Sequence, residues 1–267
     1  MKIGIFDSGL GGLFIAKALI EKLPQYDYLY LGDTQRVPYG NRSRETVYTF
    51  LREAAEYLFD HGCELIIVAC NTASAEALRQ IQQEYLPKHY PRRRILGMII
   101  PTAEAARENG RAKRIGILAT QGTVHSQAYV RELKKIDPHI RIFQHAAPLL
   151  VPIVESNSIS FVDPILRSYL KPLIGKNIDT LILGCTHYPI LKTQIRNLCG
   201  HGIKVISQDE IISQKLADYL ARHPEIERKI TKKRRRSFCV TDFTETTNVL
   251  AKKWFGKNTV LRKVDIG

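Results

Sequence analysis

The chain has no apolar run approaching the ~18 residues that a membrane-spanning helix requires, so no membrane partner is expected. It contains no C-x-x-C pair, which leaves thioredoxin-like exchange without its motif. It also has no Walker-type Lys-Ser/Thr. Its one Gly-rich turn carries Gly9, Gly11 and Gly12 but Phe14 where a dinucleotide fingerprint would want glycine. Five cysteines, an odd number without disulfide-like spacing, fit free thiols in a reducing cytoplasm. The opening residues are too quickly polar for a signal peptide and read as a first strand. Acidic residues are scarce beside basic ones, 26 against 40, leaving a net charge of +14. The densest basic runs are Arg92-Arg93-Arg94 and Lys232-Lys233-Arg234-Arg235-Arg236. Such clusters can supply phosphate affinity. Neither is interleaved with stacking aromatics, however, and each precedes an apolar stretch. Both read as solvated turns entering strands, and no specific nucleic acid is expected.

Two stretches look like copies of one another. Glu64-Leu65-Ile66-Ile67-Val68-Ala69-Cys70-Asn71-Thr72 and Asp179-Thr180-Leu181-Ile182-Leu183-Gly184-Cys185-Thr186-His187 are apolar runs without polar alternation. That is the mark of strands buried on both faces of a parallel sheet. The likeness extends upstream, where Lys2-Ile3-Gly4-Ile5-Phe6-Asp7-Ser8 parallels Arg114-Ile115-Gly116-Ile117-Leu118-Ala119-Thr120. Ser8 precedes Cys70 by 62 residues and Thr120 precedes Cys185 by 65. The reading is of two doubly wound α/β domains with mainly parallel sheets, related by pseudo-two-fold duplication, with an active site in the cleft between them.

Strand-like and helix-like segments alternate throughout. Val47, Phe50, Leu51, Ala54 and Leu58 mark one face of a helix, and Ala73 to Tyr85 reads as another. The polar, Pro-bearing stretch from Leu86 to Arg94 reads as a domain boundary, with Ile95 to Ile100 opening a second block. Near Ile206 to Asp209 the chain returns, giving a first domain of 1–94 plus 208–267 and a second of 95–207. The helix expected at Ile211 to Leu220, the strand at Phe238 to Thr241 and the helix at Thr244 to Trp254 then belong to the first.

Ligands of open α/β sheets bind at the carboxyl ends of strands. Two cysteines at such ends therefore point to one site approached from two sides. A thiolate is the reactive form, and a strand-to-helix junction puts the thiol near a helix N-terminus, where negative charge is favoured. Taken singly, either cysteine could be a core residue packing as a small hydrophobe. Zinc would want clustered ligands, and His187 is the only histidine close to either strand-end cysteine. A Cys185–His187 hydrolase would leave Cys70 unused. Two thiols on opposite walls suit proton exchange at a carbon, one removing a proton and the other returning one to the opposite face. Asp7, Glu155 and His187 would tune them. Ser8, Asn71, Thr72, Thr120, Thr123 and Thr186 could hold carboxylates with no cofactor and no metal.

At these residues the sequence resembles the cofactor-independent glutamate racemases. The matching strings are Phe6-Asp7-Ser8-Gly9 with Gly11-Gly12, Pro38-Tyr39-Gly40, Cys70-Asn71-Thr72-Ala73-Ser74, Leu118-Ala119-Thr120 with Gly122-Thr123, Val151-Pro152-Ile153-Val154-Glu155 and Gly184-Cys185-Thr186-His187-Tyr188-Pro189. The resemblance implies interconversion of L- and D-glutamate for peptidoglycan synthesis in the cytoplasm of a bacterium, by a homodimer. It implies that Cys70 deprotonates the D isomer, with Asp7 assisting. Cys185 would act on the L isomer, assisted by His187 with Glu155 near it. Ser8, Pro38, Tyr39, Gly40, Asn71, Thr72, Thr120, Thr123 and Thr186 match positions that hold the amino acid. Cys63, Cys199 and Cys239 are assigned to packing or the surface. The sequence departs from the pattern at Ala147 and at Ser207-Gln208-Asp209. Because the chain starts at its first strand, dependence on an activator bound by an N-terminal extension is not expected. An aspartate or hydantoin racemase on the same scaffold is the alternative, and a basic nucleic-acid-binding protein a more distant one.

Overall fold

Among the described residues, ten strands sort into two sheets in which every pairing is parallel. The computed structural model describes residues 1–108, 112–257 and 259–266. The strands are β1 (Lys2–Asp7), β2 (Tyr28–Gly32), β3 (Cys63–Val68), β4 (Arg94–Gly97), β5 (Arg114–Ala119), β6 (Arg141–Ala146), β7 (Thr180–Gly184), β8 (Lys204–Ile206), β9 (Arg236–Val240) and β10 (Leu261–Lys263). The larger sheet has the order β10-β9-β2-β1-β3-β4 and the smaller β6-β5-β7-β8. The order β2-β1-β3-β4 thus recurs as β6-β5-β7-β8, which is what duplication of one unit produces. In each unit the direction of winding reverses between the first strand and the third. Open α/β sheets bind their ligands there, beyond the carboxyl ends.

The central strands are apolar throughout because both faces are covered. Leu65 and Ile67 of β3 face a core that spans the two sheets, while Ile66 and Val68 face the other side. In β7, Leu181 and Leu183 join the shared core and Ile182 the outer layer of the smaller sheet. The helices that bear on the site are α1 (Gly12–Lys22), α2 (Arg44–Asp60), α3 (Asn71–Glu76), α4 (Ile99–Arg107), α5 (Ala128–Ile136), α6 (Leu150–Glu155), α7 (Gln208–Arg222) and α8 (Glu245–Trp254). Helix α2 buries Val47, Leu51, Ala54 and Leu58 along one stripe, with the Ser43 hydroxyl capping its start. After β8 the chain crosses back, so that α7 packs on α1 and β9 joins β2.

Four local expectations change. Arg94–Gly97 does not open the second unit: it pairs with β3 as the edge of the larger sheet, so the boundary at residue 94 moves past Gly97. A four-residue edge strand following a polar, basic turn has too short an apolar signature to stand out. The helix expected from Ala73 begins at Asn71, breaks at Ala77 and continues in irregular turns to His89. Strand β10 has no counterpart in the sequence reading, because three residues with two exposed side chains carry little period-2 signal. The basic runs are only partly solvated turns. Arg93 donates to the Phe59 and Cys63 carbonyls and lies over the Phe59 ring. Arg236 donates to the Pro24 carbonyl at 2.6 Å and the Tyr26 carbonyl at 2.7 Å.

Candidate active site

Between the carboxyl ends of the two sheets lies a cavity of about 20 Å³. That is room for about one water, so a larger guest must part the walls. From the β1 side come Ser8 and the loop carrying Val37, Pro38, Tyr39, Gly40 and Asn41; from the β3 side come Cys70, Asn71 and Thr72. The other wall supplies Thr120, Pro148, Val151, Cys185, Thr186 and His187. None of these lining residues is a lysine or arginine. The chain's excess positive charge is therefore not spent here.

Cys70 is the N-cap of α3, and its sulfur accepts from the Ala73 N–H at 3.5 Å while its thiol donates to the Ser8 hydroxyl at 3.3 Å. The cap alone would favour thiolate. Burial outweighs it, and with the nearby Asp7 charge pushes the thiol up to about 12, against partial relief from Ser8 and Ala73. Cys70 is therefore held as a thiol in this cleft.

Asp7 is fully buried at the end of β1. One carboxylate oxygen accepts from the Gly9 and Gly12 N–H groups at 3.2 and 3.0 Å, and the other accepts the Thr186 hydroxyl at 3.1 Å. Burial raises its pKa, while His187, those two N–H groups and Thr186 act in the opposite direction. It acts on Cys70 through its charge. Its hydrogen bond across the cleft goes to the residue after the other cysteine.

On the facing wall Cys185 sits 3.7 Å from His187 Nδ1, and His187 Nε2 is 2.5 Å from Glu155 Oε1, at the end of α6. Glu155 also accepts the Leu10 N–H at 3.3 Å. Burial works against a charged His187, but its bonds to Cys185 and Glu155 and their charges carry it well above the ordinary 6.5. Burial likewise opposes the Glu155 charge, and the His187 bond and charge overcome it and hold the carboxyl low. The result is a largely buried imidazolium–carboxylate pair with the Cys185 sulfur at its other end. The glycine turn allows this approach: a Cβ on Gly11 would lie 2.7 Å from both His187 Nδ1 and Thr186 Oγ1.

Hydroxyls join the walls. Thr72 and Thr120 lie 2.9 Å apart, and Thr120 reaches Thr123 at 3.0 Å. Gly40 packs so closely on Thr120 that an added Cβ would meet it at 2.8 Å. The Tyr39 hydroxyl is committed to the Asp33 carboxylate, so that side chain offers the cavity its ring. Thr123 is buried behind Thr120 rather than lining the cavity. Asp7 and Glu155 likewise stand one layer back, each behind a lining residue. Every residue singled out in the sequence is thus brought to this cleft or its support. Sequence reasoning missed Tyr129, which bonds Asn71, and Trp254, whose ring stands edge-on to His187 at 6.4 Å. It marks Gln208 only as part of a departure from the family pattern, not as a partner of Asn71. A lone aromatic on a helix carries no motif, and a glutamine after a strand does not reveal its partner.

A model of the Asp/Glu/hydantoin racemases matches residues 15–214, most of the chain. The chain belongs to that family. Among its relatives, the glutamate racemase of Aquifex aeolicus is 44% identical over 222 residues, covering 82% of this chain and 84% of that one. A crystal structure of a glutamate racemase isoform from Bacillus anthracis superposes with a TM-score of 0.89 at 34% identity, covering 99% of this chain and 97% of that one. The Francisella tularensis glutamate racemase, solved in complex with D-glutamate, gives a TM-score of 0.87 at 32% identity, with the same coverage. The two parallel sheets of this racemase-family chain are therefore the fold of solved glutamate racemases.

Proposed function

We propose that the chain is a glutamate racemase, an isomerase that interconverts L- and D-glutamate by moving protons at Cα without a cofactor. The observation that carries this reading is that Cys70 and Cys185, from equivalent strands of two duplicated units, line one cavity from opposite walls. Cys185 and His187 share a proton, with Glu155 holding the imidazole; this side takes the proton from L-glutamate. Cys70, protonated in the closed cleft, delivers one to the opposite face and yields the D isomer. In the reverse direction the roles exchange, Cys70 removing the proton while Asp7, one layer back, influences that thiol through its charge. Ser8, Asn71, Thr72, Thr120 and Thr186, with the loop of Pro38, Tyr39 and Gly40, surround the amino acid, and Thr123 steadies Thr120. Anionic carboxylates would be met by hydroxyls, amides and the His187 cation rather than by lysine or arginine.

D-glutamate made this way would serve peptidoglycan synthesis in the cytoplasm, and the active form would be a homodimer, as the family resemblance implies. No described helix is long and apolar enough to cross a membrane. A chiral assay offering L-glutamate, D-glutamate, L-aspartate and a hydantoin separately tests the reading. Rapid racemisation of both glutamates is expected, and turnover of aspartate or hydantoin instead would replace it.

A further inference from the structure

Gln208 begins α7 at the point where the chain crosses back from the smaller sheet, and its side chain is 1% exposed. It forms a reciprocal amide pair with Asn71, 2.7 Å in each direction. The same Gln208 nitrogen reaches the Tyr129 hydroxyl of α5 at 2.9 Å and the Thr102 hydroxyl of α4 at 3.2 Å. Tyr129 closes the ring by donating to Asn71 at 2.8 Å. Asn71 is the first residue of α3, directly after the capping sulfur of Cys70. Thr72–Thr120 and Asp7–Thr186 link the walls through hydroxyls; here a buried glutamine fixes the helix turn that carries one reacting thiol to elements packed on the opposite sheet.

We propose that Gln208 is a positioning residue for proton transfer at Cys70, acting through Asn71 and Tyr129. It touches neither thiol. The inference rests on the racemase reading, and it assigns the residue to one half-reaction rather than to the fold at large. Buried polar networks are where such positioning resides, since a partly satisfied network relaxes rather than holding its geometry. The reaction supplies a readout that separates the halves. Enantiomers are equal in free energy, so kcat/KM must be equal in the two directions for any variant, and only isotope effects report which proton transfer limits the rate.

The test is Gln208→Ala with glutamate deuterated at Cα in each enantiomer. A fall in kcat/KM of roughly tenfold is expected, about 1.4 kcal/mol of transition-state stabilisation. The primary isotope effect should grow with D-glutamate, whose proton Cys70 removes, and shrink with L-glutamate. Tyr129→Phe, which deletes only a hydroxyl, should shift both isotope effects the same way, and the double variant should be little worse than Gln208→Ala alone. If Gln208→Ala does not fold, Tyr129→Phe carries the test. Isotope effects unchanged from wild type, or moved in the opposite sense, would overturn the inference while leaving the racemase reading intact. A wild-type protein that racemises neither glutamate would overturn both.

Discussion

Cys70 is pulled two ways by its surroundings. Its place at the head of α3 gives it an N–H partner, yet burial beside Asp7 wins and keeps it a thiol up to about 12. The sign of the consequence is fixed. Between the ordinary 9.0 and about 12 the folded chain keeps a proton that the unfolded chain releases. The stability this contributes is whole below about pH 9 and is lost as the pH climbs through the folded value. Unfolding free energy from urea titrations should therefore fall more steeply above about pH 9 for wild type than for Cys70→Ala; parallel slopes would contradict the assignment. For activity, Cys70→Ala and Cys185→Ala should each abolish racemisation. Cys63→Ala, Cys199→Ala and Cys239→Ala should keep most of it, since none of the three lines the cavity. Retained activity in either of the first two would point to a single base.

The same contrast between local chemistry and packing governs the elements. The run Lys232 to Arg236 leads into β9 at its amino end, whereas the cleft lies beyond the carboxyl ends of the strands. Five strand residues span roughly 16 Å, so charges at the amino end of β9 lie beyond a Debye length of about 8 Å from the chemistry and are screened. Replacing Lys232, Lys233, Arg234 and Arg235 by Gln should leave the racemisation rate within roughly threefold. Arg236→Gln belongs to another class: it removes bonds to the Pro24 and Tyr26 carbonyls and should cost about 1–3 kcal/mol in chemical denaturation without altering kcat. An unchanged denaturation midpoint would refute that structural role. The turn between β1 and α1 makes the opposite prediction. Gly11→Ala would drive a Cβ into His187 and Thr186, and it should lower kcat by tenfold or more, roughly the effect of a small misplacement of a catalytic group. Normal turnover in that variant would mean the turn can shift without disturbing His187.

Across the whole molecule, each sheet contributes one wall and one thiol. A proton taken by one wall cannot be the one delivered by the other. With L-glutamate in D₂O, early D-glutamate should carry deuterium at Cα while residual L-glutamate stays largely protiated. Mass spectrometry of the separated enantiomers decides it, and product that keeps its original hydrogen would rule out two opposed bases. The cavity of about 20 Å³ adds that the walls must separate to admit an amino acid. Thr72–Thr120 and Asp7–Thr186 are among the bonds that join those walls.

The sequence determined the parallel α/β units, because strands buried on both faces must be apolar at every position, and duplication wrote that pattern twice. It also determined the two cysteines, since each ends an apolar strand and is followed by polar residues, with Cys70 capping a helix and Cys185 entering a 3₁₀ turn. The strings of the resemblance carried Asp7, Glu155, His187 and the hydroxyls. What the sequence could not decide depends on residues far apart in the chain. The edge strand β4, too short for a periodic signal, is settled by pairing with β3. The protonation of Cys70 is settled by desolvation, a property of everything packed around it rather than of its neighbours in sequence. The network of Asn71, Tyr129 and Gln208 joins residues separated by 58 and 137 positions, and only the tertiary fold brings their polar atoms within bonding distance.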